Sequence, residues 1–272
     1  PSYKDVMVQA AKSLSTRFRE APQVIQSWNV DKGWQSERGW ECPVIIDNMM
    51  NLELMFEATR LSGDSSFYNI AIAHADRTLQ EHFRPDGSCY HVIDYSLKDG
   101  SVRNRHTAQG YAHESAWSRG QAWGLYGYTV CYRETGLPEF LEQAKHIENY
   151  IFSSPTLPED LVPYWDFNAP GIPNEPRDAS AATVTASALY ELSMYDPAKR
   201  QDYVTKANTI LENLSANYRA AAGKDRGFLL LHSTGTKMHN VEVDVPIVYA
   251  DYYYLEALLR KQKLEKEGTA IL

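Results

Sequence analysis

The 272-residue sequence lacks the usual marks of metal, redox and nucleotide chemistry. Its three cysteines, Cys42, Cys89 and Cys131, have no CxxC spacing, so they predict neither a zinc site nor a disulfide framework. The eight histidines are scattered rather than clustered with carboxylates. No P-loop, GxGxxG, HExxH, GxSxG or EF-hand motif occurs. The absences favour a function that uses no metal and no cofactor.

The sequence also lacks a basic stripe and a long apolar run. The formal net charge is −8, which argues against nucleic acid as a partner because few cations are present to displace counterions. No apolar run approaches the roughly 18 residues of a membrane span. Because the net charge is negative, an anionic substrate would have to be bound by local cations against the overall electrostatic field of the protein. Nothing in the sequence indicates an oligomeric state.

Four segments share one pattern, an aromatic residue followed by apolar residues at +4, +7 and +11. This spacing places one apolar stripe along an amphipathic helix, and it recurs every 63 to 72 residues. The pattern predicts four outer helices that bury a single face. The stripes are Tyr3/Met7/Ala10/Leu14, Tyr68/Ile72/Ala75/Leu79, Phe140/Ala144/Ile147/Ile151 and Tyr203/Ala207/Ile210/Leu214.

Four other segments, 45–62, 116–136, 178–195 and 246–261, carry apolar, small and aromatic residues on most faces. A helix that is apolar all round is buried, so these segments predict inner helices that alternate with the outer ones. The long connections, 21–44, 85–115, 154–177 and 220–245, all run from an outer to an inner helix and emerge on one rim. The arrangement predicts an all-α fold, a single α/α-toroid domain over residues 1–272, with its cleft at the N-terminal ends of the inner helices.

The stretch His113–Trp123, HESAWSRGQAW, is the most distinctive in the chain. A helix starting near Ser115 would carry Trp117 and Arg119 at its N-terminal end and Trp123 more than one turn deeper. Aromatic faces and a guanidinium at that position suit a sugar that bears a carboxylate. The alternative is that the tryptophans are core residues and Arg119 caps a neighbouring element. The stretch alone favours neither interpretation.

Asp47 begins the inner helix in VIIDNMMN. A carboxylate at this position is commonly a helix cap or a first-turn charge. The apolar residues around it, Ile45, Ile46, Met49 and Met50, instead favour an uncharged carboxyl group, as a general acid requires.

The other candidates lie on the same rim. A lone loop histidine such as His91 is more often incidental than functional, whereas Gln109 offers neutral donors to sugar hydroxyls. Asp178 is predicted to be the N-cap of the third inner helix rather than a catalyst. The segment 246–261 is predicted to be core, with Tyr249 and Asp251 as its only contributors to a site.

Taken together, five stretches resemble the unsaturated glucuronyl hydrolase family. They are IIDNMMNLELMFEA, DGSCYHVIDY, TAQGYAHESAWSRGQAWGLYGY, PYWDFNAPGIPNEPRDASAA and EVDVPIVYADYYYLEALLR. The resemblance runs from Tyr3 to about Arg260 and is most specific in the QGY…SAWSRGQAWG block. It implies an (α/α)6 barrel of six inner and six outer helices. Eight helices are predicted here, so about four more, on the order of 100 residues by the repeat length, are expected before the N-terminus.

The resemblance also implies roles for individual residues. The central acid/base aspartate of the I-D-x-M-M-N motif corresponds to Asp47. The residues that contact the sugar correspond to His91, Gln109, Trp117, Arg119 and Trp123. A second aspartate, in an H-D-x-G-F-like motif upstream in the family, is absent from this chain. An enzyme that truly lacked it would be expected to be inactive.

The implied substrates are Δ4,5-unsaturated uronate oligosaccharides, which polysaccharide lyases leave behind when they cut glycosaminoglycans. Asp47 would protonate C4 of the vinyl ether and then help water to add at C5, after which the hemiketal collapses and expels the remaining glycan. Three alternatives stay open: an unsaturated rhamnogalacturonyl hydrolase of the same fold, a toroidal sugar epimerase and a non-catalytic glycan-binding module. Relatives occur in both the bacterial periplasm and cytoplasm, so the compartment stays open between them.

Overall fold

Helices make up most of the part of the chain that the structure describes. The computed structural model covers residues 2–269, with side chains for residues 2–266. Eight α-helices lie in this range: α1 (Tyr3–Ser15), α2 (Leu52–Ser62), α3 (Ser65–Glu81), α4 (Ser118–Thr135), α5 (Pro138–Ser153), α6 (Ala179–Leu192), α7 (Arg200–Asn217) and α8 (Val248–Thr269). Among them, none has both the length and the apolar character that a bilayer crossing needs.

The predicted alternation of inner and outer helices is confirmed. Helices α2, α4, α6 and α8 pack in sequence as an inner row, while α3, α5 and α7 each pack on the outside of the inner helix that precedes them. Helix α6 is buried along its whole length, and α4 is buried from Ser118 to Cys131. The four long connections emerge at the N-terminal ends of the inner helices, as the sequence predicts.

The outer stripes agree with the sequence in two helices of four. All four stripe residues are buried in α5 and in α7. In α3 the buried face is shifted by one residue, because it includes the polar residues His74 and Thr78, which apolar spacing does not predict. The prediction is wrong for α1, where Tyr3 is 91% exposed and only Ala11 is buried. Leu14, at the other end of the stripe, is partly buried and packs against the core.

Helix α8 differs from the fully buried inner helix that the sequence predicts. It buries the face that carries Ala250, Tyr254 and Ala257. A second face, spaced at +4, +7 and +11, holds four large apolar side chains that are 49% to 69% exposed. They are Val248, Tyr252, Leu255 and Leu259. Helix α6 covers one side of α8, and within residues 2–266 the other side faces solvent.

Short strands from the long connections form a small antiparallel sheet on the rim. Its strands are β3 (Cys42–Ile45), β4 (Val92–Tyr95) and β5 (Val102–His106), in that order, while β1 (Phe18–Arg19) and β2 (Val24–Ile25) form a separate pair. Buried Asp94 joins the three strands. Its Oδ1 accepts the backbone N–H groups of Glu41 and Cys42, and its Oδ2 pairs with Arg103 at 2.6 Å. The sheet is thus fixed by charge-assisted bonds as well as by its backbone ladder.

Two buried histidines connect α3 to these strands. Nδ1 of His74 accepts the N–H of Ile25 at 3.0 Å, and Nε2 of His82 lies 3.2 Å from the carbonyl oxygen of Val44. A carbonyl only accepts, so Nε2 of His82 carries the proton. Burial lowers the pKa of each ring from 6.5 to about 3, so both rings are neutral in the folded protein.

These two rings predict a loss of stability in mild acid. The unfolded chain protonates both histidines near pH 6.5, whereas the folded chain resists protonation down to about pH 3. Stability is therefore fully present above pH 6.5 and falls as the pH falls toward 3. Between pH 7 and pH 5 we expect a loss of about 2 kcal/mol for each histidine. Urea unfolding at both pH values measures it.

The matched control is the double variant His74→Asn and His82→Gln. Asn keeps an acceptor near the position of Nδ1, and Gln keeps a donor near the position of Nε2, but neither residue titrates. The carboxylates are the same in both proteins, so the difference between the two pH dependences isolates the histidines. An unchanged pH dependence in the double variant would show that burial of these rings is not what makes the fold acid-sensitive.

Candidate active site

Antiparallel pairing of β3 with β4 brings Asp47 and His91 together. The register places Ile45 opposite Val92, and the N–H of Ile46 donates to the carbonyl of His91 at 3.0 Å. Asp47 follows β3 in a short 3-10 turn, Ile46–Asn51, that leads into α2. Its Oδ2 lies 3.6 Å from Nε2 of His91. Two residues 44 positions apart thus face each other because of strand register.

The hydrogen bonds of His91 fix its orientation. Its Nδ1 accepts the backbone N–H groups of Ala108 and Gln109, each at 3.2 Å. A backbone N–H only donates, so Nδ1 carries no proton, and the neutral ring has its proton on Nε2. That proton faces Asp47. Neither Nε2 of His91 nor Oδ2 of Asp47 has a hydrogen bond to any described residue, although both atoms are buried.

Asp47 is partly buried among apolar residues. The side chains of Ile46 and Met49, which flank it, are almost completely buried. Its own side chain is 28% exposed, and since Oδ2 is buried, the exposed surface lies on its other atoms. Gly127 of α4 allows this turn to pack closely, because a Cβ at that position would overlap with the Cβ of Met49. The carboxyl group is therefore held on one side and accessible on the other.

Trp117 is buried between other members of the site. Its ring centroid lies 4.5 Å from that of His91, and the guanidinium carbon of Arg119 lies 4.5 Å from the same ring. The side chain is only 2% exposed, so it has almost no open surface on which a sugar could stack. This burial agrees with the alternative that Trp117 is a core residue. A direct contact between Trp117 and substrate stays a prediction.

Arg119 is held in a buried ion pair. Its Nη1 lies 2.7 Å from Oδ2 of Asp178 and donates to the carbonyl of Thr234, while Nη2 donates to the carbonyl of Gly235 at 2.7 Å. Asp178 is also the N-cap of α6, as predicted, and accepts the N–H of Ser180. The guanidinium thus joins α4, α6 and the 232–239 loop. Much of its charge is already balanced inside the protein.

The remaining predicted site residues, Gln109, Trp123 and Tyr249, are connected to Arg119. The side chain of Gln109 donates to the carbonyl of Gly235, which Arg119 also contacts. Tyr249 lies under the Arg119 guanidinium at 5.4 Å, and its ring centroid is 6.2 Å from that of Trp123. All seven predicted site residues are therefore connected by contacts that run from Asp47 to Trp123.

Asp166, which was not among the predicted site residues, organises the loop that carries Gln109. Its buried Oδ2 accepts the N–H of Tyr111 at 2.9 Å and the hydroxyl of Ser115 at 2.7 Å. Burial raises the pKa of this carboxyl group, and these hydrogen bonds oppose that effect. The motif PYWDF marks the residue in the sequence, but its partners lie about 50 positions upstream.

A cavity lies beside the site, and most of the residues that line it were not predicted as site residues. The cavity has a volume of about 670 Å³ and reaches Gln109. The ring centroid of Trp28, in its wall, lies 6.5 Å from that of His91. Its lining residues are Trp28, Trp34, Glu37, Arg38, Ala108, Gln109, Thr236 and His239. The tryptophan spacing in WNVDKGWQSERGW is the signal that could have indicated it.

The three cysteines are buried and free. Within residues 2–266, no group of three or more His, Cys, Asp or Glu side chains is arranged to hold a metal ion. The described side chains bring a carboxyl group, an imidazole and hydrogen-bond donors together at the site.

Known proteins are related to this chain in sequence. An unsaturated glucuronyl hydrolase from Formosa agariphila is 48% identical over 263 residues, which cover 96% of this chain and 64% of that protein. Another from Bacillus sp. strain GL1 is 34% identical over 267 residues, or 96% of this chain and 69% of that protein. This chain belongs to the unsaturated glucuronyl hydrolase family. No protein-family profile matches it.

The fold comparison agrees with the sequences. A solved unsaturated glucuronyl hydrolase specific for heparin superposes with a TM-score of 0.91 at 44% identity, over 96% of this chain and 68% of that one. Structures of this family have an α/α-barrel architecture, and the helix pairs described above match it. The chain spans about two thirds of the length of these relatives.

The buried ion pair between Arg119 and Asp178 in this member of the family predicts that removing the Asp178 carboxylate strongly lowers stability. Asp178→Ala should lower the free energy of unfolding by about 3 to 5 kcal/mol, because it leaves the Arg119 cation buried without a counter-charge. Asp178→Asn keeps a capping side chain but removes the charge, so it separates the two roles. Denaturant unfolding measures both.

An exposed pair serves as the control. Glu142 on α5 pairs with Lys145 but is 67% exposed, so Glu142→Ala should cost at most about 1 kcal/mol. If Asp178→Asn proved as stable as the wild type, charge compensation of Arg119 would not be what holds α4 to α6.

Proposed function

We propose that the protein removes Δ4,5-unsaturated glucuronic acid from the non-reducing end of glycosaminoglycan oligosaccharides, with Asp47 as the catalytic group. One observation carries the proposal. A partly exposed carboxyl group faces Nε2 of His91, and the His91 ring centroid lies 6.5 Å from that of Trp28 in the wall of a cavity that Gln109 also lines. This arrangement suits proton transfer to a sugar without a metal or nucleotide.

In the proposed reaction, protonated Asp47 donates its proton to C4 of the vinyl ether while positive charge builds at C5 and the ring oxygen. The carboxylate that forms then accepts a proton from the water that adds at C5. The resulting hemiketal opens and releases the remaining glycan. The double bond is hydrated, so the spacing rule for paired carboxylates in other glycosidases does not apply. One group acts first as acid and then as base.

His91 is well placed to support both states of Asp47. Its Nε2–H faces Oδ2 and stabilises the carboxylate once the proton has left. Since the Ala108 and Gln109 N–H groups hold Nδ1, the ring keeps this tautomer through the reaction. His91 is only 3% exposed, so its main role here is to position the carboxyl group.

The other predicted residues form the substrate-binding wall. Gln109 lines the cavity and offers its amide to sugar hydroxyls. Trp117, Arg119, Trp123 and Tyr249 lie behind it and define the shape of the wall through their mutual contacts. A variant of the Streptococcus agalactiae enzyme forms a complex with dGlcA-GalNAc6S. A substrate of this class, an unsaturated uronate linked to a hexosamine, is proposed for this protein.

The proposal extends to the architecture. Residues 1–272 are proposed to form one catalytic α/α-toroid domain and to supply eight helices of a twelve-helix (α/α)6 barrel. The exposed apolar stripes of α1 and α8 support this, because neighbouring helices of a closed ring would bury them. The family's second aspartate would then come from the helices outside this chain. The reaction is compatible with either the periplasm or the cytoplasm.

The central prediction concerns Asp47→Asn in the protein that carries this sequence. The amide has the shape of the carboxyl group but transfers no proton, so kcat should fall by about 10²- to 10⁴-fold. Substrate affinity and the unfolding temperature should stay near those of the wild type. The loss of the 4,5-ene absorbance of an unsaturated disaccharide measures turnover, and calorimetry measures binding.

Asp202→Asn on α7 makes the same chemical change on the outside of the fold and should leave turnover unchanged. Near-normal turnover by Asp47→Asn would exclude Asp47 as the catalytic acid. If wild-type protein binds unsaturated disaccharides but does not consume them, the chain is a glycan-binding module rather than a hydrolase.

A second prediction separates the two nitrogens of His91. Asn places an acceptor near the position of Nδ1, so His91→Asn should keep the loop at residues 107–109 and the fold's stability. It lacks the donor toward Asp47, so kcat should fall by about 10- to 100-fold with little change in KM.

His91→Gln should show the opposite pattern, with kcat largely kept and stability lost. It keeps a donor near Asp47 but leaves two backbone N–H groups without an acceptor, which should cost about 1 to 3 kcal/mol of stability. Unfolding and kinetics measured on both variants check the pair. Equal effects of the two changes on kcat and on stability would contradict the division of roles.

A further inference from the structure

Arg38 has no ionic partner within the described part of the chain. Its guanidinium carbon lies 5.5 Å from the ring of Trp34 and 5.4 Å from the ring of Trp40. These indoles are its contacts, and no described carboxylate or carbonyl group accepts from it. Cation–π contact with two indole rings restrains a guanidinium while leaving its N–H groups free to donate. Arg38 is therefore a cation held in place and available to a ligand.

The position of Arg38 connects it to the proposed sugar site. It lines the cavity of about 670 Å³ that reaches Gln109, and also an adjoining cavity of about 420 Å³. Its backbone ends a short helical turn, and Gly39 follows with φ +65°, which turns the chain sharply at that point. The Arg38 side chain thus projects from a defined corner at the boundary of the two cavities.

The surrounding titratable groups are mostly imidazoles. His239 lines both cavities with Arg38, and its Nδ1 is paired with the hydroxyl of Thr236 at 2.9 Å. His113 lines the second cavity, and the field of Arg38 adds to burial in lowering the pKa of His106. Glu37 is the one carboxylate among the lining residues of the two cavities. Arg38 is the one fixed cation among them.

We propose that Arg38 forms an anion subsite that binds a sulfate ester on the second sugar of the substrate. The inference rests on the proposed function, which places the unsaturated uronate at Asp47; the next sugar would then lie in the cavity that Gln109 lines. The proposed second sugar is an N-acetylhexosamine, which is uncharged unless it carries sulfate. The edge of a stacked guanidinium offers two parallel N–H donors, a geometry that matches two sulfate oxygens. Arg38 therefore determines preference among substrates rather than the chemical step.

The test compares kcat/KM for three substrates. They are an unsulfated unsaturated disaccharide, the same disaccharide with one sulfate on the hexosamine, and an unsulfated tetrasaccharide whose next anion is a carboxylate. Arg38→Gln should lower kcat/KM for the sulfated disaccharide by about tenfold and change the other two by less than about twofold. Arg38→Lys should recover part of the loss, because it restores charge without the paired donors.

Glu37→Gln is the matched control on the same turn. It removes the one carboxylate among these lining residues, so kcat/KM for the sulfated disaccharide should rise or stay level while Arg38→Gln lowers it. Unfolding temperatures of all variants confirm that the turn remains folded. Calorimetric binding of the sulfated disaccharide to the Asp47→Asn variant, with and without Arg38→Gln, measures the subsite independently of turnover.

The outcomes separate the two proposals. Equal losses on sulfated and unsulfated disaccharides, or no loss on either, would overturn the sulfate subsite. A loss confined to the tetrasaccharide would show that Arg38 binds a carboxylate instead, which also overturns it. If the wild type consumes none of the three substrates, the proposed function fails. The binding measurement, with about tenfold weaker affinity expected after Arg38→Gln, then still decides the subsite.

Discussion

The pairing of β3 with β4 is the constraint on which the site depends. Asp47 lies two residues beyond the end of one strand and His91 one residue before the other, so the register alone brings their side chains to 3.6 Å. A slip of one residue would turn every side chain of a strand to the opposite face of the sheet. Such a slip would also move Asp94 away from the N–H groups of Glu41 and Cys42. The rim sheet is small, but the register that it fixes positions the proposed proton donor.

Buried polar groups perform the same task around the rest of the rim. Arg119 with Asp178 fixes α4 against α6, and Asp166 fixes the turn that carries Gln109. Burying these charged side chains costs free energy, and several directed hydrogen bonds to each side chain offset that cost. Apolar packing tolerates small shifts, whereas a buried charge with defined partners does not. The inner helices supply a rigid support, and these polar contacts determine where the loops lie on it.

Much of the scaffold could be predicted from the sequence because helix burial is a local, periodic property. The stripes of α5 and α7 and the all-round apolar character of α6 are examples. The prediction for α3 was shifted by one residue because His74 and Thr78 belong to the buried face, where His74 bonds to a strand distant in sequence. The resemblance named the site residues but not their bonding. That Arg119 is already paired with Asp178, 59 positions away, depends on tertiary contacts that no local pattern encodes.

The tryptophans near the site differ in how far they are exposed. Trp117 and Trp123 lie on or next to α4, an inner helix packed on all sides, and are 2% and 8% exposed. Trp34 lies on a rim loop outside the helices and is 43% exposed, so its ring can support Arg38 at the edge of the cavity. Trp40 and Trp165 also lie on rim loops but are only 5% and 2% exposed, so the contacts of each ring, rather than residue type or loop position, decide which indole can meet a ligand. Under the proposed function, a catalytic carboxyl group that is fixed from the inside would allow the outer loop to vary, and with it the preferred second sugar, without disturbing the chemistry.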